Sequence, residues 1–228
     1  MEDDWDDIPP AARKLSMSNP KIPTHDWMKQ ENRWQLAVHA YLASVRWTDE
    51  QIGRVLDALG QGPHAKNTIV VLFSDHGYHL GEKQRWSKFS LWERTTRVPL
   101  IVSVPNGLRG RTDQPVELLS IYPTLIDLCG LGENPKLEGV SLKPLLKNPN
   151  AEWKHAAIST LGQNNHAIRD QRWRYIRYAD GTEELYDHQN DPHEWTNLAK
   201  NISDSIHQKV INRLKTHLPK MNVAQRGG

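Results

Sequence analysis

This 228-residue sequence contains a single cysteine and no long apolar run. One cysteine, Cys129, cannot build a disulfide framework or a cysteine-based zinc cluster within the chain. No segment approaches the ~20 consecutive apolar residues of a membrane span, so we expect no membrane partner. Residues 1–10 are acidic and lack a charged stretch followed by an apolar one, so we expect no signal peptide there. The compartment stays open.

The sequence also lacks a surplus of charge of either sign. Its 29 Lys and Arg residues face 27 Asp and Glu residues, which gives a formal net charge of +2. A nucleic-acid-binding protein normally carries a strongly basic face, so this balance argues against a nucleic-acid partner. The one local basic run, residues 169–177, alternates arginine with apolar and aromatic residues. This alternation predicts a strand with one polar face.

Composition and pattern divide the chain into three parts. Residues 1–30 contain four prolines and show no periodicity, which predicts an extended arm. Residues 31–150 contain the longer apolar patterns and are expected to form an α/β domain. Residues 151–228 contain short alternating segments and are expected to form a smaller unit.

The middle part has the pattern of a mainly parallel sheet with flanking helices. Apolar residues recur three or four positions apart from about Glu31 to Leu59, which predicts a helix. Residues 67–74 and 98–104 are continuous apolar runs, typical of strands buried on both faces of a parallel sheet. The segment between them, residues 75–97, is polar and aromatic. Because α/β folds place their chemistry in loops that follow such strands, we expect the functional site there.

The C-terminal part predicts a small antiparallel unit. Short alternating segments indicate strands, and the Asp180-Gly181 pair is typical of a hairpin turn between two of them. An amphipathic pattern over residues 201–218 predicts a final helix. The expected fold class is therefore α/β, part of a mainly parallel sheet, with a small C-terminal antiparallel α+β subdomain. The predicted strands lie within residues 156–160, 166–169, 172–178 and 184–187.

Asp75, His76 and Gly77 form the clearest motif for chemistry, directly after the first predicted strand. A carboxylate and an imidazole there can face one crevice as metal ligands. A capping aspartate and a hydrogen-bonded histidine are an alternative of similar weight. Lys88 follows in the same segment, and an ammonium near a metal suits an anionic ester substrate.

Residues 74–82, Ser-Asp-His-Gly-Tyr-His-Leu-Gly-Glu, and the later Trp-Ser-Lys at 86–88 resemble the second metal-binding motif and the sulfate-binding lysine of type I sulfatases. These enzymes belong to the alkaline-phosphatase superfamily, and the sequence is most similar to their iduronate-2-sulfatase-like branch. The resemblance implies the C-terminal part of an alkaline-phosphatase-like fold. Four further stretches resemble family segments in the same order, at residues 41–56, 97–101, 119–125 and 184–198.

The resemblance also implies roles for individual residues. Asp75 and His76 would bind one divalent metal ion, most simply calcium, although a histidine ligand keeps magnesium and manganese open. Lys88 would contact the sulfate of a sulfated saccharide. Arg85 and Trp86 are candidates for a wall that meets the sugar. His166 has two interpretations of equal weight: it contacts the substrate pocket, or it forms a hydrogen bond at a strand end.

The sequence departs from the family at its nucleophile. Type I sulfatases carry a Cys/Ser-x-Pro/Ala-x-Arg motif, whose first residue becomes formylglycine, and an Asp-Asp pair near the N-terminus. Cys129 lies outside such a motif and is expected to be a buried packing residue. The acidic pairs at 3–4 and 6–7 follow no strand. We therefore expect a chain inactive alone, in a family that is typically periplasmic, secreted or lysosomal.

Two alternatives to a sulfatase part remain at this point. One is a part of a phosphate or phosphonate ester hydrolase of the same superfamily. The other is a non-catalytic domain that binds sulfated glycan. Because the predicted sheet lacks neighbours in this chain, its strand edges also predict self-association.

Overall fold

A computed structural model describes residues 4–107, 109–132, 134–200 and 205–224 as a mixed α/β chain with two antiparallel sheets. Short 3₁₀ turns occur at Glu82–Gln84, Leu118–Ser120 and Leu198–Lys200. The α-helices are α1 (Pro10–Ser16), α2 (His25–Gln30), α3 (Trp34–Gln61), α4 (Glu93–Thr96), α5 (Ile121–Leu128), α6 (Lys143–Lys147) and α7 (Ser205–Lys215). The strands are β1 (Val70–Phe73), β2 (Leu100–Ser103), β3 (Ala157–Thr160), β4 (His166–Arg169), β5 (Trp173–Arg177) and β6 (Glu183–Asp187).

The helix predicted from about Glu31 is confirmed as α3, which begins three residues later, at Trp34. It ends before Gly62, whose backbone is extended and whose N–H donates to the Leu59 carbonyl. Among the described residues, no side chain of α3 is buried, although the helix is 28 residues long. Cys129 follows α5 and is exposed, so its expected burial is wrong.

β1 and β2 pair antiparallel, so the expectation of a parallel arrangement is wrong for this pair. Val70 lies opposite Ser103, and Phe73 opposite Leu100. An apolar run indicates that a segment is a strand, but it does not indicate whether that strand pairs parallel or antiparallel with its neighbour. Burial on both faces is wrong as well, since Phe73 is 50% exposed and Ile101 58%. The antiparallel pairing does keep the connecting segment at one end of the pair.

The C-terminal sheet is antiparallel throughout, in the order β3-β4-β5-β6, which confirms the predicted strands. The predicted hairpin turn joins β5 to β6, where Gly181 has a φ of +86° and the Asp180 carboxylate accepts from Thr182. One face of the sheet packs under α7, which buries Ile211 and Leu214. The predicted helix at 201–218 is described only from residue 205, because residues 201–204 lie outside the described part.

The N-terminal segment corrects another expectation, since described residues of the predicted extended arm form α1 and α2. Pro10 begins α1, because a proline at the first helical position loses no hydrogen bond. Ile8 and Ala12 are buried in one cluster with Trp92 of the connecting segment and Ile176 of β5. The chain start therefore packs on the second face of the C-terminal sheet.

A polar contact joins the N-terminal segment to the residues that follow β6. The Asn197 N–H donates to Asp7 Oδ2 at 2.6 Å, across 190 residues of sequence.

In the arginine run, Arg174 is only 2% exposed, so the predicted polar face of β5 is wrong at this position. No described helix is long and apolar enough to cross a membrane.

Candidate active site

Asp75 and His76 lie immediately beyond the end of β1. The Ser74 hydroxyl donates to the His76 carbonyl at 2.9 Å, and the His76 N–H donates to Asp75 Oδ1 at 3.0 Å. These local bonds close a tight backbone turn. The Asp75 side chain is 80% exposed, so its outer carboxylate oxygen remains accessible to a ligand.

Gly77 is required by a close approach of two backbone segments. Its N–H donates to the Thr95 carbonyl at 2.9 Å, which ties the motif to α4. A Cβ at this position would lie 2.1 Å from the Arg94 carbonyl oxygen. Glycine is therefore needed at this position because α4 lies against the motif.

Lys88 contacts His76 directly. His76 Nδ1 lies 2.8 Å from the Gly77 carbonyl, an acceptor, so Nδ1 carries the proton. The unprotonated Nε2 accepts from Lys88 Nζ at 2.7 Å. A metal-binding histidine commonly donates its second ring nitrogen to a carbonyl in this way. The structure thus brings Asp75, His76 and Lys88 together.

Behind this trio, a buried polar chain supports the segment that carries Lys88. His79 Nε2 lies 2.9 Å from Ser90 Oγ, which in turn lies 2.7 Å from Thr95 Oγ1. Burial lowers the pKa of His79 to about 4, so the ring is neutral at neutral pH. Thr95 also provides the carbonyl that holds Gly77, so the support connects directly to the motif.

Arg85 and Trp86 are buried, so the structure does not support their expected role as a wall facing the sugar. They are 5% and 3% exposed. An Arg85 guanidinium nitrogen donates to the Ser16 carbonyl at 2.5 Å, and Trp86 Nε1 donates to His25 Nδ1 at 3.3 Å. Trp86 also packs edge-on against Trp34. Both residues hold the N-terminal helices against the connecting segment.

His166 has the strand-end role that was one of its two interpretations. Its Nδ1 lies 2.9 Å from Thr160 Oγ1, and its Nε2 lies 2.9 Å from the Asn222 side-chain nitrogen. The ring is 5% exposed. Burial, together with the positive charge of Arg177, lowers its pKa. The structure does not bring His166 to Asp75 and Lys88.

Asp75, His76 and Lys88 line one cavity of about 1550 Å³. Its walls include residues of β2, α4, α6 and β3, together with the segment that precedes α5. Several arginines line it, Arg169, Arg172 and Arg174 among them. The trio therefore faces a space large enough for a substrate, and arginines also line that space.

Sequence reasoning missed a buried charge network beside this cavity. Arg174 of β5 forms ion pairs with Glu93 and Glu194, and its guanidinium donates to the Leu91 carbonyl at 3.1 Å. Burial alone would raise the pKa of Glu194, but the positive charge of Arg174 and the bond from His188 lower it to about 2. The short Asp-Pro-His-Glu turn gave no sign that its glutamate is buried.

Glu93, His188 and Glu194 are also close enough to resemble a metal-binding cluster. Arg174 already pairs with both carboxylates, and His188 Nε2 lies 2.9 Å from Glu194. A cation would have to displace a buried guanidinium, which is costly. The three side chains of this cluster are therefore already engaged in ion pairs and a hydrogen bond.

An exposed carboxylate, an imidazole and an ammonium lie together at one cavity of this mixed α/β chain. Two protein-family models match the sequence. The family model "Sulfatase" matches residues 9–131, and the model "N-sulphoglucosamine sulphohydrolase, C-terminal" matches residues 81–224. The chain belongs to the sulfatase family.

The chain is similar to individual proteins in sequence and in structure. A "Sulfatase" of Formosa agariphila is 46% identical over 96% of this chain and 43% of its own length. A structure in complex with its substrate D-glucosamine-2-N,6-O-disulfate is 30% identical, with a TM-score of 0.65 over 76% of this chain and 38% of that chain. A phosphonate monoester hydrolase from Silicibacter pomeroyi is 26% identical, with a TM-score of 0.63 over 74% and 37%. The chain spans less than half the length of these relatives.

The residues present fit part of a metal site. Sulfatases generally bind a divalent metal ion. Asp75 provides a carboxylate oxygen, and His76 provides a nitrogen lone pair whose orientation is fixed by Gly77. A calcium-type ion ordinarily takes six to eight oxygen ligands. These two residues would therefore hold one side of the ion, and further ligands must come from elsewhere.

Proposed function

We propose that this chain forms the metal- and sulfate-binding side of a sulfuric ester hydrolase that acts on sulfated carbohydrate. In this proposal it is the C-terminal part of a sulfatase of the iduronate-2-sulfatase-like branch, and calcium is the metal. The observation that carries the proposal is the contact between Lys88 Nζ and His76 Nε2 at 2.7 Å, beside Asp75 and at the cavity.

Each residue of the trio has a distinct role in this proposal. A divalent metal, when bound, polarises the sulfate oxygens and stabilises negative charge on them. Asp75 and His76 hold that ion, and the bond from His76 Nδ1 to Gly77 keeps the ring in the ligand tautomer. Lys88 leaves the His76 lone pair and donates to a sulfate oxygen as a compact positive charge. Its exposure makes that movement inexpensive.

The nucleophile is the part of the reaction that these residues do not provide. Cys129 is exposed beyond α5, and its sequence context does not match the formylglycine motif. Formylglycine would therefore come from residues outside this sequence. An in-frame Cys-x-Pro-x-Arg motif in the DNA upstream of Met1 would support this arrangement.

A hybrid protein tests the proposal. This chain would replace the matching 43% of the Formosa relative, and hydrolysis of an aryl sulfate would be measured. We expect turnover by the hybrid and none by the 228-residue chain alone. In the hybrid, Asp75→Ala and Lys88→Ala should each lower kcat/KM by about a hundredfold or more.

Glu152→Gln is the matched control, because Glu152 is an exposed carboxylate whose side chain is 78% accessible. It should leave the hybrid's turnover unchanged. Turnover by the chain alone that disappears in Asp75→Ala would refute an external nucleophile. Full activity of the Lys88→Ala hybrid would refute the sulfate-binding role.

A phosphonate ester hydrolase is the second candidate, and the similarity to the Silicibacter pomeroyi enzyme favours it. The two substrate esters carry similar charge, so Lys88 and the metal ligands suit both. Turnover of the hybrid separates the candidates: faster hydrolysis of an aryl phosphonate monoester than of the aryl sulfate would favour the phosphonate.

A further inference from the structure

A second cavity, of about 400 Å³, lies between the N-terminal segment and the turn that follows β6. Trp34, His79 and Trp195 line it, and it shares Glu93 and Pro192 with the larger cavity. The metal-site trio is not among the described residues on its walls. A volume of about 300–1,000 Å³ is usual for a small-molecule site, so this second cavity is large enough for a ligand of its own.

Two partly exposed indole rings line the second cavity. Trp34 is 41% exposed and Trp195 is 42% exposed. A Cβ at Gly81 would lie 2.3 Å from the Trp34 ring, so this ring rests directly on the backbone. The Trp195 ring stacks on His193, with the ring centroids 4.9 Å apart. Both indoles are therefore held in place while part of their surface stays accessible, and a ligand that stacks on them has little to order.

The acidic and basic side chains around these indoles already have counter-ions within the part of the chain that the structure describes. The pairs are Lys29 with Asp26, Lys83 with Asp4, Arg94 with Glu82, and Arg174 with both Glu93 and Glu194. An ionic ligand would have to compete with one of these pairs. A hydroxyl group can instead donate to a carboxylate and accept from a guanidinium that remain paired. The charges therefore favour an uncharged ligand that carries hydroxyl groups.

His79 adds a buried hydrogen-bond acceptor to this cavity. The Thr95 hydroxyl donates to a backbone carbonyl, with those of Ser90 and Trp92 at 3.0 and 3.1 Å, so Thr95 Oγ1 accepts from Ser90 Oγ. Ser90 Oγ then accepts from His79 Nε2, which leaves a lone pair on Nδ1. Among the described residues, the buried Nδ1 has no hydrogen-bond partner.

The unpartnered nitrogen of His79 lies on the side of the ring away from Ser90. Ser90 lines the larger cavity, whereas His79 lines the second one. A buried acceptor without a donor is costly, and a ligand hydroxyl group that reached it would remove this cost. His79 thus points to a hydroxyl-bearing ligand independently of the indoles.

We propose that the second cavity binds one uncharged pyranose unit of a saccharide, which stacks on Trp34 and Trp195. A pyranose ring has C–H groups on its faces and hydroxyl groups around its edge, so it suits indole surfaces and paired polar groups together. Its hydroxyl groups bond to the pair of Arg94 and Glu82 and to His79 Nδ1. None of these residues has a role in the proposed function, so the chain would hold saccharide at a place separate from the sulfate.

Calorimetric titration of the 228-residue chain with cellobiose and N,N′-diacetylchitobiose, two uncharged disaccharides, tests this site. We expect at least one of them to bind with a Kd of about 1 mM or lower. Trp195→Ala should weaken that binding by about tenfold, and Trp195→Phe, which keeps a ring, should retain part of it. Because Trp195 is exposed, its variants test the site even if Trp34→Ala fails to fold.

Trp47→Ala is the matched control, since Trp47 is a 64% exposed indole on α3 that is not among the described residues of the second cavity. It should leave disaccharide binding unchanged. Equal losses in Trp47→Ala and Trp195→Ala would show unspecific stacking on exposed indoles and would overturn the inference.

Arg94→Met tests the hydrogen bonds of the same site. It should weaken disaccharide binding by about fivefold, because it removes the donors beside Glu82. Arg54→Met is its control, since the exposed Arg54 bonds to Gln51 on α3, away from this cavity. Unchanged affinity in Arg94→Met would contradict the polar contacts of the proposed site.

Lys88→Gln separates this inference from the proposed function. It should not change the affinity for either disaccharide, and a loss would place them in the larger cavity and overturn the second site while the proposed function stands. Adenosine is the competing probe. Adenosine binding without disaccharide binding would assign the cavity to a planar aromatic ligand and overturn the inference, and so would the failure of all three probes to bind.

Discussion

The α3 region and the C-terminal sheet differ in how many of their side chains are buried. Among the described residues, β4, β5 and β6 bury a continuous set of side chains, with Ile168, Tyr175 and Leu185 fully inaccessible. α3 buries none of its own, and apolar residues such as Val45 and Val55 are more than half exposed. β1 and β2 form only a two-stranded sheet, which is marginal in water.

The C-terminal sheet therefore contains its own core, whereas α3, β1 and β2 need packing partners that the described residues do not provide. A helix gains most of its stability from packing of its apolar face, and α3 has little to pack against here. The chain spans less than half of its relatives' length, which is consistent with cover from further residues. Self-association through the edges of β1 and β2 remains a prediction.

Hydrogen exchange should show the largest contrast. In the 228-residue chain, backbone amides of α3 should exchange on the order of a thousandfold faster than those of β4 to β6, because buried contacts control local opening. Mass spectrometry of peptides from both regions measures this. Equal protection would break the comparison, since it would mean that this chain alone stabilises α3.

Removal of the buried guanidinium should produce the largest effect of a single substitution. Arg174→Met leaves Glu93 and Glu194 without their buried counter-ion, and we expect a loss of about 3–5 kcal/mol in the free energy of unfolding. Urea denaturation followed by circular dichroism measures it. Arg172→Met is the control, because its ion pair with Asp187 is 47% exposed on the arginine side and worth about 1 kcal/mol or less. Similar losses in both variants would contradict the network's importance.

Stability should decrease in mild acid because of His79. Its pKa is lowered from 6.5 to about 4 in the folded chain, so the unfolded state binds a proton first as the pH falls. The free energy of unfolding should therefore drop by about 3 kcal/mol between pH 6.5 and pH 4. Denaturation at several pH values checks this, and His79→Gln should flatten the curve. The exposed His64→Gln should not, and a curve unaffected by His79→Gln would refute the assignment.

Gly77→Ala should have the smallest of these effects on stability. The added Cβ meets the Arg94 carbonyl at 2.1 Å, and we expect a loss of about 1–3 kcal/mol as α4 shifts away from the motif. Gly53→Ala provides a control of opposite sign, because a Cβ there meets nothing within 4 Å and alanine favours the helix. Thermal unfolding compares the two. A stable Gly77→Ala variant would show that α4 adjusts without cost.

Sequence patterns predicted those features that short-range periodicity controls. The helix α3, the C-terminal strands and the turn at Gly181 were predicted because their signals lie within a few residues. The Asp-His pair, the lysine in the same segment and the family resemblance grouped Asp75, His76 and Lys88 in one site. The structure places Lys88 Nζ beside His76 Nε2, and the roles of the three residues stay predictions.

Features that depend on long-range packing could not be predicted. Strand direction in β1 and β2 is set by the path of the connecting segment. Arg85 and Trp86 were candidates for a wall that meets the sugar, but both are buried and bond to Ser16 and His25. Arg174 was assigned to a polar face, since alternation cannot show that two distant glutamates neutralise an arginine.

The bond between Asp7 and Asn197 has a consequence for the synthesis of the protein. The ribosome adds about 5–20 residues per second, so 190 residues take roughly 10–40 s. During that interval the nascent N-terminal segment has left the ribosome before its partner strands exist. Ile8 and Ala12 then have no sheet on which to pack. Folding of this segment must therefore wait until translation of the C-terminal strands is complete, and chaperones have access to it until then.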